Sequence, residues 1–315
     1  MTSALSSRHL IDTAALSKAE IEALLNRAEA YVQQNLSSNK KSGLLSGRTA
    51  VNLFFEKSTR TRTSFDLAAK RLGMDVINVP LEQSSLTKGE TDLDTVFNID
   101  AMHVDVFVIR HIRDGFAEQV SRQTEACIVN AGDGKHAHPT QALLDALTIR
   151  RHKGSLNNLT VALCGDVSRS RVARSNIHLL KKFGADIRVI APDYFMSEDY
   201  AAMGVTCCAD MDKGLRDADA IIMLRVQNER DLDGQPFDFI HKRDAYIASY
   251  GLSHDRLKVA KDDVIVLHPG PVNRGVEMTD ALTDDRRYSV IREQVGVGVA
   301  VRMAVFDLLL SSQGA

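Results

Sequence analysis

The sequence predicts an α/β protein with two domains of parallel sheet, and three observations predict it. Short apolar runs alternate with amphipathic stretches of helical spacing along the chain, the pattern of parallel α/β architecture. The runs fall four to each half, at 50–55, 75–79, 104–109 and 126–129, then at 159–164, 187–191, 219–224 and 264–267. The chain is 315 residues long, which favours two domains over one.

The elements follow in order. Ser17-Lys18-Ala19-Glu20 is a capping box, with Leu16 and Ile21 able to staple across it. Ile21, Leu24, Leu25 and Ala28 then recur at helical spacing. The run 50–55 leads into Phe55-Glu56-Lys57-Ser58-Thr59-Arg60-Thr61-Arg62, which opens a helix continuing through Phe65, Ala68, Ala69 and Leu72. Arg110-His111 follows the run 104–109, and His138-Pro139-Thr140-Gln141 comes shortly after 126–129. A helix from Thr140 to about Arg151 closes the first half, ending in Arg150-Arg151-His152-Lys153-Gly154, basic residues then glycine. In the second half, Gly165-Asp166-Val167-Ser168-Arg169-Ser170-Arg171 follows 159–164. Arg225-Val226-Gln227-Asn228-Glu229-Arg230 follows 219–224, and His268-Pro269-Gly270-Pro271 follows 264–267. Val297–Leu310 reads as a last helix. The polar stretches 81–91 and 226–237 are longer than connection requires, which marks them as functional or as solvated connectors.

Bulk composition excludes several classes. Lys plus Arg is 39 against 41 Asp plus Glu, a formal charge of -2 and no footprint for nucleic acid. Tryptophan is absent, which leaves little for base stacking. The 4 cysteines form no C-x-x-C pair; Cys127 and Cys164 lie in apolar runs, and Cys207-Cys208 reads as packing. Free thiols, no unbroken apolar run of membrane-spanning length and no apolar leader give a cytoplasmic expectation, with no membrane partner.

Six of these clusters handle anions and sit where strands end, the place where open parallel sheets bind ligands. Ser58, Thr59 and Thr61 offer hydroxyls at a helix start, and Arg60 offers a planar fork suited to phosphate. An ordinary N-cap explains one hydroxyl but not three with two arginines. The P-loop pattern is missing. Arg171 lies in the first turn of a helix, where the dipole disfavours a cation, so a bound anion would account for it. His136-Ala137-His138 has no cysteine or carboxylate cluster to complete a metal site. Gly296-Val297-Gly298 lacks the third glycine of a dinucleotide fingerprint and reads as close packing.

Taken in order and spacing, these motifs, with Lys88-Gly89-Glu90-Thr91, resemble the catalytic chains of the aspartate carbamoyltransferase family over nearly the full length. The resemblance implies two doubly wound domains, each with a central parallel sheet, and an active site in the interdomain cleft. Residues 1–147 would bind carbamoyl phosphate, with the C-terminal helix 291–311 packing back on them, and 148–290 would bind L-aspartate. It implies carbamoyl transfer with no metal and no cofactor. Ser58, Thr59, Arg60, Thr61 and Arg110 would hold the phosphate. Arg60, Thr61 and His138 would polarise the carbonyl, and Gln141 with Gly270 and Pro271 would grip the carbamoyl nitrogen. Arg171, Arg225 and Gln227 would hold the aspartate carboxylates, and Lys88 would reach both substrates from a neighbouring subunit. A homotrimer is implied, with a dodecamer containing regulatory or dihydroorotase-like chains among the assemblies open to it. The alternatives are ornithine carbamoyltransferase, a catalytically inactive partner subunit and a dehydrogenase. Ornithine enzymes typically carry Ser-Met-Gly and His-Cys-Leu-Pro where this chain has Arg225-Val226-Gln227 and His268-Pro269-Gly270-Pro271.

Overall fold

The computed structural model describes residues 5–79, 89–227 and 238–311. The chain divides into two units, Met1–Leu147 with Val295–Ala315, and Thr148–Gln294.

The first unit runs α1 (Lys18–Leu36), β1 (Thr49–Phe54), α2 (Thr59–Leu72), β2 (Asp75–Asn78), α3 (Asp92–Asp100), β3 (Val106–His111), α4 (Phe116–Ser121), β4 (Cys127–Asp133) and α5 (Pro139–Lys153), whose last residues pass into the second unit. The α1 capping box forms in both directions: Glu20 N–H donates to the Ser17 hydroxyl, and Ser17 N–H donates to the Glu20 carboxylate. The four strands are parallel in the order β2-β1-β3-β4. The chain steps from β1 to β2, then crosses back over β1 to β3 and on to β4. Crossover connections are right-handed, so reversing direction places helices on opposite faces. Val51, Leu53, Phe107 and Ile109 accordingly pack against Val96 of α3 and Phe116 and Val120 of α4.

The second unit continues through β5 (Thr160–Gly165), α6 (Arg171–Lys181), β6 (Asp186–Ile190), α7 (Glu198–Ala202), β7 (Thr206–Cys208), α8 (Met211–Leu215), β8 (Ala220–Leu224), α9 (Arg243–Tyr250), α10 (His254–Leu257), β9 (Ile265–Leu267) and α11 (Asp280–Asp284). Its sheet is also all parallel, ordered β7-β6-β5-β8-β9, and again reverses direction beside its first strand. Ala162, Ile221 and Val266 pack with Met211, Leu257 and Leu282 from α8, α10 and α11 on one face.

The last helix, α12 (Ile291–Ser311), begins six residues before the apolar pattern that marks it in the sequence. It has the length and mean hydropathy, 1.5, to cross a membrane, but 78% of that window is buried within the protein, as suits a core helix. Phe306 meets Phe65 of α2 edge to face at 5.8 Å between ring centres.

The second sheet has a fifth strand, β7, that the apolar pattern does not mark. It is three residues at an edge, and its first two are exposed. Cys207 is therefore exposed and Cys208 half-buried, so the pair is less involved in packing than its sequence implies, whereas Cys127 and Cys164 are buried. Gly296 and Gly298 lie inside α12, where no phosphate-cradling loop exists.

Candidate active site

In each sheet the chain reverses direction between two neighbouring strands: β1 and β3 in the first, β5 and β8 in the second. Such switch points open a crevice at the carboxyl ends of the strands. Ser58 to Thr61, Arg110, Arg171, Arg225 and Gln227 follow or lie near the ends of the strands at these two places, with His138 and Gln141 after the neighbouring β4 and Gly270 and Pro271 after the neighbouring β9; each is described within its own unit.

In the first unit, Ser58 is the N-cap of α2 in extended conformation, yet its side chain makes no capping hydrogen bond. The first turn holds no acidic residue and instead carries Arg60 and Arg62. A helix start without a side-chain cap or a carboxylate suits an external anion. Thr59 and Arg60 are exposed, and Ser58 and Thr61 half-buried. Arg110, paired in register with Phe54, is the penultimate residue of β3. Its side chain is braced from both neighbours: Nη1 donates to Ala131 O at 3.3 Å, and Nε lies 3.3 Å from Glu56 Oε2. One strand further on, β4 delivers His138 and Gln141. His138 is buried at the start of α5, its carbonyl accepting from Gln141 N at 3.0 Å. Gln141 Nε2 donates to Asp145 Oδ1 at 2.9 Å.

The loop that aims His138 is held by Asp133, which is wholly buried. Its carboxylate accepts from Asn130 Nδ2 at 2.8 Å, Gly115 N at 2.8 Å and Ala137 N at 3.1 Å, with the His136 ring at 3.1 Å. Burial alone would raise this carboxyl, but the donors around it outweigh burial and hold it below its ordinary value. His136, read in sequence as a weak metal candidate, is thus the ion-pair partner of Asp133, which raises its pKa above the ordinary value.

In the second unit, β5 ends on Gly165 at φ 120. A side chain there would place Cβ 2.6 Å from Leu224 O, so only glycine lets the ends of β5 and β8 approach. Asp166 follows and is wholly buried, taking two hydrogen bonds from Arg169: Nε at 3.1 Å and Nη2 at 2.5 Å. The same carboxylate accepts Gln227 N–H at 2.9 Å, and Gln227 Nε2 donates back to Arg169 O at 3.1 Å. Burial pushes the Asp166 carboxyl up against the opposing pull of Arg169 and Gln227. Arg171 is the first residue of α6, mostly buried, behind the cap that Ser170 provides by accepting from Ala173 N at 3.1 Å.

Arg225 leaves β8 half-buried. The loop it opens is tied to the segment after β9 by Glu277, which is wholly buried and accepts from Val226 N at 2.9 Å, Asn273 N at 2.6 Å and Asn273 Nδ2 at 2.8 Å. Gly270 N donates to His268 Nδ1 at 2.8 Å, and Gly270 precedes Pro271 across a cis peptide.

Ser58, Thr59, Arg60, Thr61, Arg110, His138 and Gln141 therefore collect in the first unit, and Arg171, Arg225, Gln227, Gly270 and Pro271 in the second. Lys88 and most of the stretches 81–91 and 226–237 lie outside the described residues. Sequence reasoning missed the buried acids Asp133, Asp145 and Glu277, and the half-buried Asn273 that Glu277 holds. Their one available signal is an acid set inside an apolar stretch, such as Leu144-Asp145-Ala146 or Val276-Glu277-Met278, where a charge is costly unless paired.

The geometry defines an α/β protein that presents basic and hydroxyl donors at the switch point of each of two parallel sheets. Residues 8–151 match the aspartate/ornithine carbamoyltransferase, carbamoyl-P binding domain, and residues 157–309 the Asp/Orn binding domain, so the chain belongs to the aspartate/ornithine carbamoyltransferase family. It is 53% identical over 302 residues to the aspartate carbamoyltransferase catalytic subunit of Rhodospirillum centenum, covering 96% of this chain and 94% of that protein. The corresponding subunit of Rhodospirillum rubrum is 52% identical over 302 residues, covering 96% and 93%. Among solved structures, aspartate transcarbamoylase from Trypanosoma cruzi in complex with carbamoyl aspartate and phosphate superposes with a TM-score of 0.85 at 33% identity, covering 96% of each chain. The same enzyme with N-(phosphonacetyl)-L-aspartic acid gives 0.85 at 34% identity, covering 96% of this chain and 95% of that one.

Proposed function

We propose that this chain transfers the carbamoyl group of carbamoyl phosphate to the amine of L-aspartate, yielding N-carbamoyl-L-aspartate and phosphate, an early step of de novo pyrimidine synthesis. The observation that carries the reading is the basic donor set at both switch points. Together the two substrates bring a phosphate, a carbonyl and two carboxylates, which matches that set.

The aspartate amine attacks the carbamoyl carbon, the carbon–oxygen bond to phosphate breaks, and the departing phosphate takes the amine proton. Ser58, Thr59, Arg60, Thr61 and Arg110 bind the phosphate at the uncapped start of α2. Arg60, Thr61 and His138 donate toward the oxygen that gains charge, the main electrostatic lever for such a step. Gln141 and the Gly270-Pro271 backbone take the carbamoyl nitrogen. Arg171, Arg225 and Gln227 take the aspartate carboxylates, and an arginine at 225 would repel the distal ammonium of ornithine. Holding both substrates in line supplies the rest. A colorimetric assay for ureido product with aspartate, ornithine or no amine tests this; product from ornithine alone would move the chain to the other branch of its family.

The reading extends to a cytoplasmic homotrimer in which Lys88 reaches the site of a neighbouring chain, with or without regulatory or dihydroorotase-like partners. A lysine ammonium on a flexible stem suits a shared, highly anionic pocket. Native mass measurement from the source organism tests the assembly. Refolding inactive Lys88→Ala chains with inactive Arg60→Ala chains tests the sharing: activity returns only if a site draws those two residues from different chains.

A further inference from the structure

Asp145 is a wholly buried carboxylate in a helix whose surroundings are otherwise apolar from Ala142 to Leu147. Burying a charge costs free energy unless it is paired and hydrogen-bonded. Two groups face it. One is Gln141, a helical turn earlier, whose Nε2 donates at 2.9 Å. The other is Arg302 of α12, which is almost fully buried. Arg302 Nη1 donates to Gly298 O at 2.9 Å, and its guanidinium lies 4.8 Å from the Phe65 ring centre. A Cβ at residue 298 would stand 2.6 Å from Nη1, so a side chain there would push the guanidinium from this position. Burial lowers the Arg302 pKa to about 10, and the Asp145 charge opposes that shift.

A buried acid–arginine couple is a weak device for stability, because a well-packed apolar pair often does as well. What an apolar pair cannot do is choose which end of a neighbouring amide it meets. A glutamine amide has a donor end and an acceptor end, related by a simple flip. An ionised carboxylate only accepts, so Asp145 takes the NH2 end and leaves Oε1 as the end Gln141 presents elsewhere. From this geometry we infer that Asp145, charge-balanced by Arg302, is a positioning residue that fixes the Gln141 amide to accept from the NH2 of a carbamoyl group, so that the site selects an amide-bearing acyl phosphate over its methyl counterpart. The inference rests on the carbamoyl-transfer reading and deepens it. Acetyl phosphate is the natural probe, since it replaces that NH2 by CH3 and keeps the phosphate and carbonyl.

The test is calorimetric titration of carbamoyl phosphate and of acetyl phosphate into wild type, Asp145→Asn and Asp145→Asn/Arg302→Met, each checked for folding by circular dichroism. Asparagine offers either end to Gln141 and releases the lock. The double variant removes both buried charges together, so neither is stranded if the single variant is unstable. Wild type is expected to prefer carbamoyl phosphate. Both variants are expected to lose on the order of tenfold in its affinity, about one hydrogen bond's worth, with acetyl phosphate changed less than about twofold. In a Gln141→Ala background the Asp145 substitution should add nothing, because it acts through that side chain. Equal weakening of both ligands, no weakening of either, full additivity with Gln141→Ala, or a wild type indifferent to the two phosphates would each overturn the inference. Only the phosphate substrate is titrated, so the identity of the amine acceptor does not enter. The ureido assay with aspartate tests the functional reading separately.

Discussion

The two switch-point sites are built by opposite means. At β1 and β3 the donors sit on the first turn of a 14-residue helix, and Thr59 and Arg60 are exposed. At β5 and β8 no helix follows β8 directly within the described residues, so the loop at 225–227 has no regular hydrogen bonding to shape it. Buried carboxylates do that work instead, Asp166 on one side and Glu277 on the other. A helix start offers its positive pole without further scaffolding. An irregular loop must have its N–H groups satisfied by something, and here the partners are internal anions. The donors at 58–62 are therefore placed by a helix start and the loop at 225–227 by a buried polar network, and substitutions at the two should fail in correspondingly different ways.

The largest expected effect breaks the second site's scaffold. Asp166→Ala removes the carboxylate paired with Arg169, whose side chain is 0% exposed, and the acceptor of Gln227 N–H. Breaking a buried pair from one side costs about 3–5 kcal/mol. The matching change in the first unit, Glu56→Ala, removes a carboxylate that is 24% exposed and leaves Arg110 its bond to Ala131 O, so it should cost less, on the order of 1–2 kcal/mol. Denaturant unfolding of the two variants checks the contrast; equal losses would mean the two sites are braced alike.

Next in size is Arg60→Ala. It removes a donor from the helix-start site without disturbing packing, so turnover should fall on the order of a hundredfold or more while aspartate KM barely moves. Arg225→Ala should do the reverse and by less. It leaves a substrate carboxylate unpaired, raising aspartate KM on the order of tenfold or more, with a smaller effect on kcat. Steady-state kinetics on both variants test the assignment, and the opposite pattern would exchange the roles of the two units.

The same contrast explains what was legible in the sequence. Helix-start donors show themselves locally: Ser58 to Arg62 come soon after an apolar strand, Arg110 lies near the end of another, and Arg171 opens a helix. The strands themselves are apolar runs and need only local pattern. β7 escapes because a three-residue edge strand carries no apolar signature. The braces escape for a different reason. Glu277 lies 51 positions from the Val226 N–H it satisfies, and Asp166 lies 61 from that of Gln227. Nothing local to Glu277 or Asn273 announces partners so far along the chain; only the fold brings them together.

The smallest expected effect distinguishes the sites by pH. Each strand-end loop is pinned by a buried carboxylate, but Asp133 in the first unit pairs with a histidine and Asp166 in the second with an arginine. Arginine keeps its proton at any pH of interest, whereas histidine does not. Asp133 is foremost in holding the His136 pKa above the ordinary 6.5, with Asp12 and Asp114 adding to it. Stability from a raised histidine is fully present below 6.5 and is lost as pH rises through the folded value. Asp133 is held below the ordinary 3.8, so its share is present above that value and is lost only as pH falls through the lower folded one. The pair therefore contributes most between 3.8 and 6.5. His136→Gln should cost under about 1 kcal/mol at pH 6, the side chain being one-third exposed and partly screened. The difference from wild type should shrink by pH 8. Urea midpoints of the two proteins at both pH values measure it. A difference that stays constant or grows toward pH 8 would show that the first unit's loop is held as independently of pH as the second's.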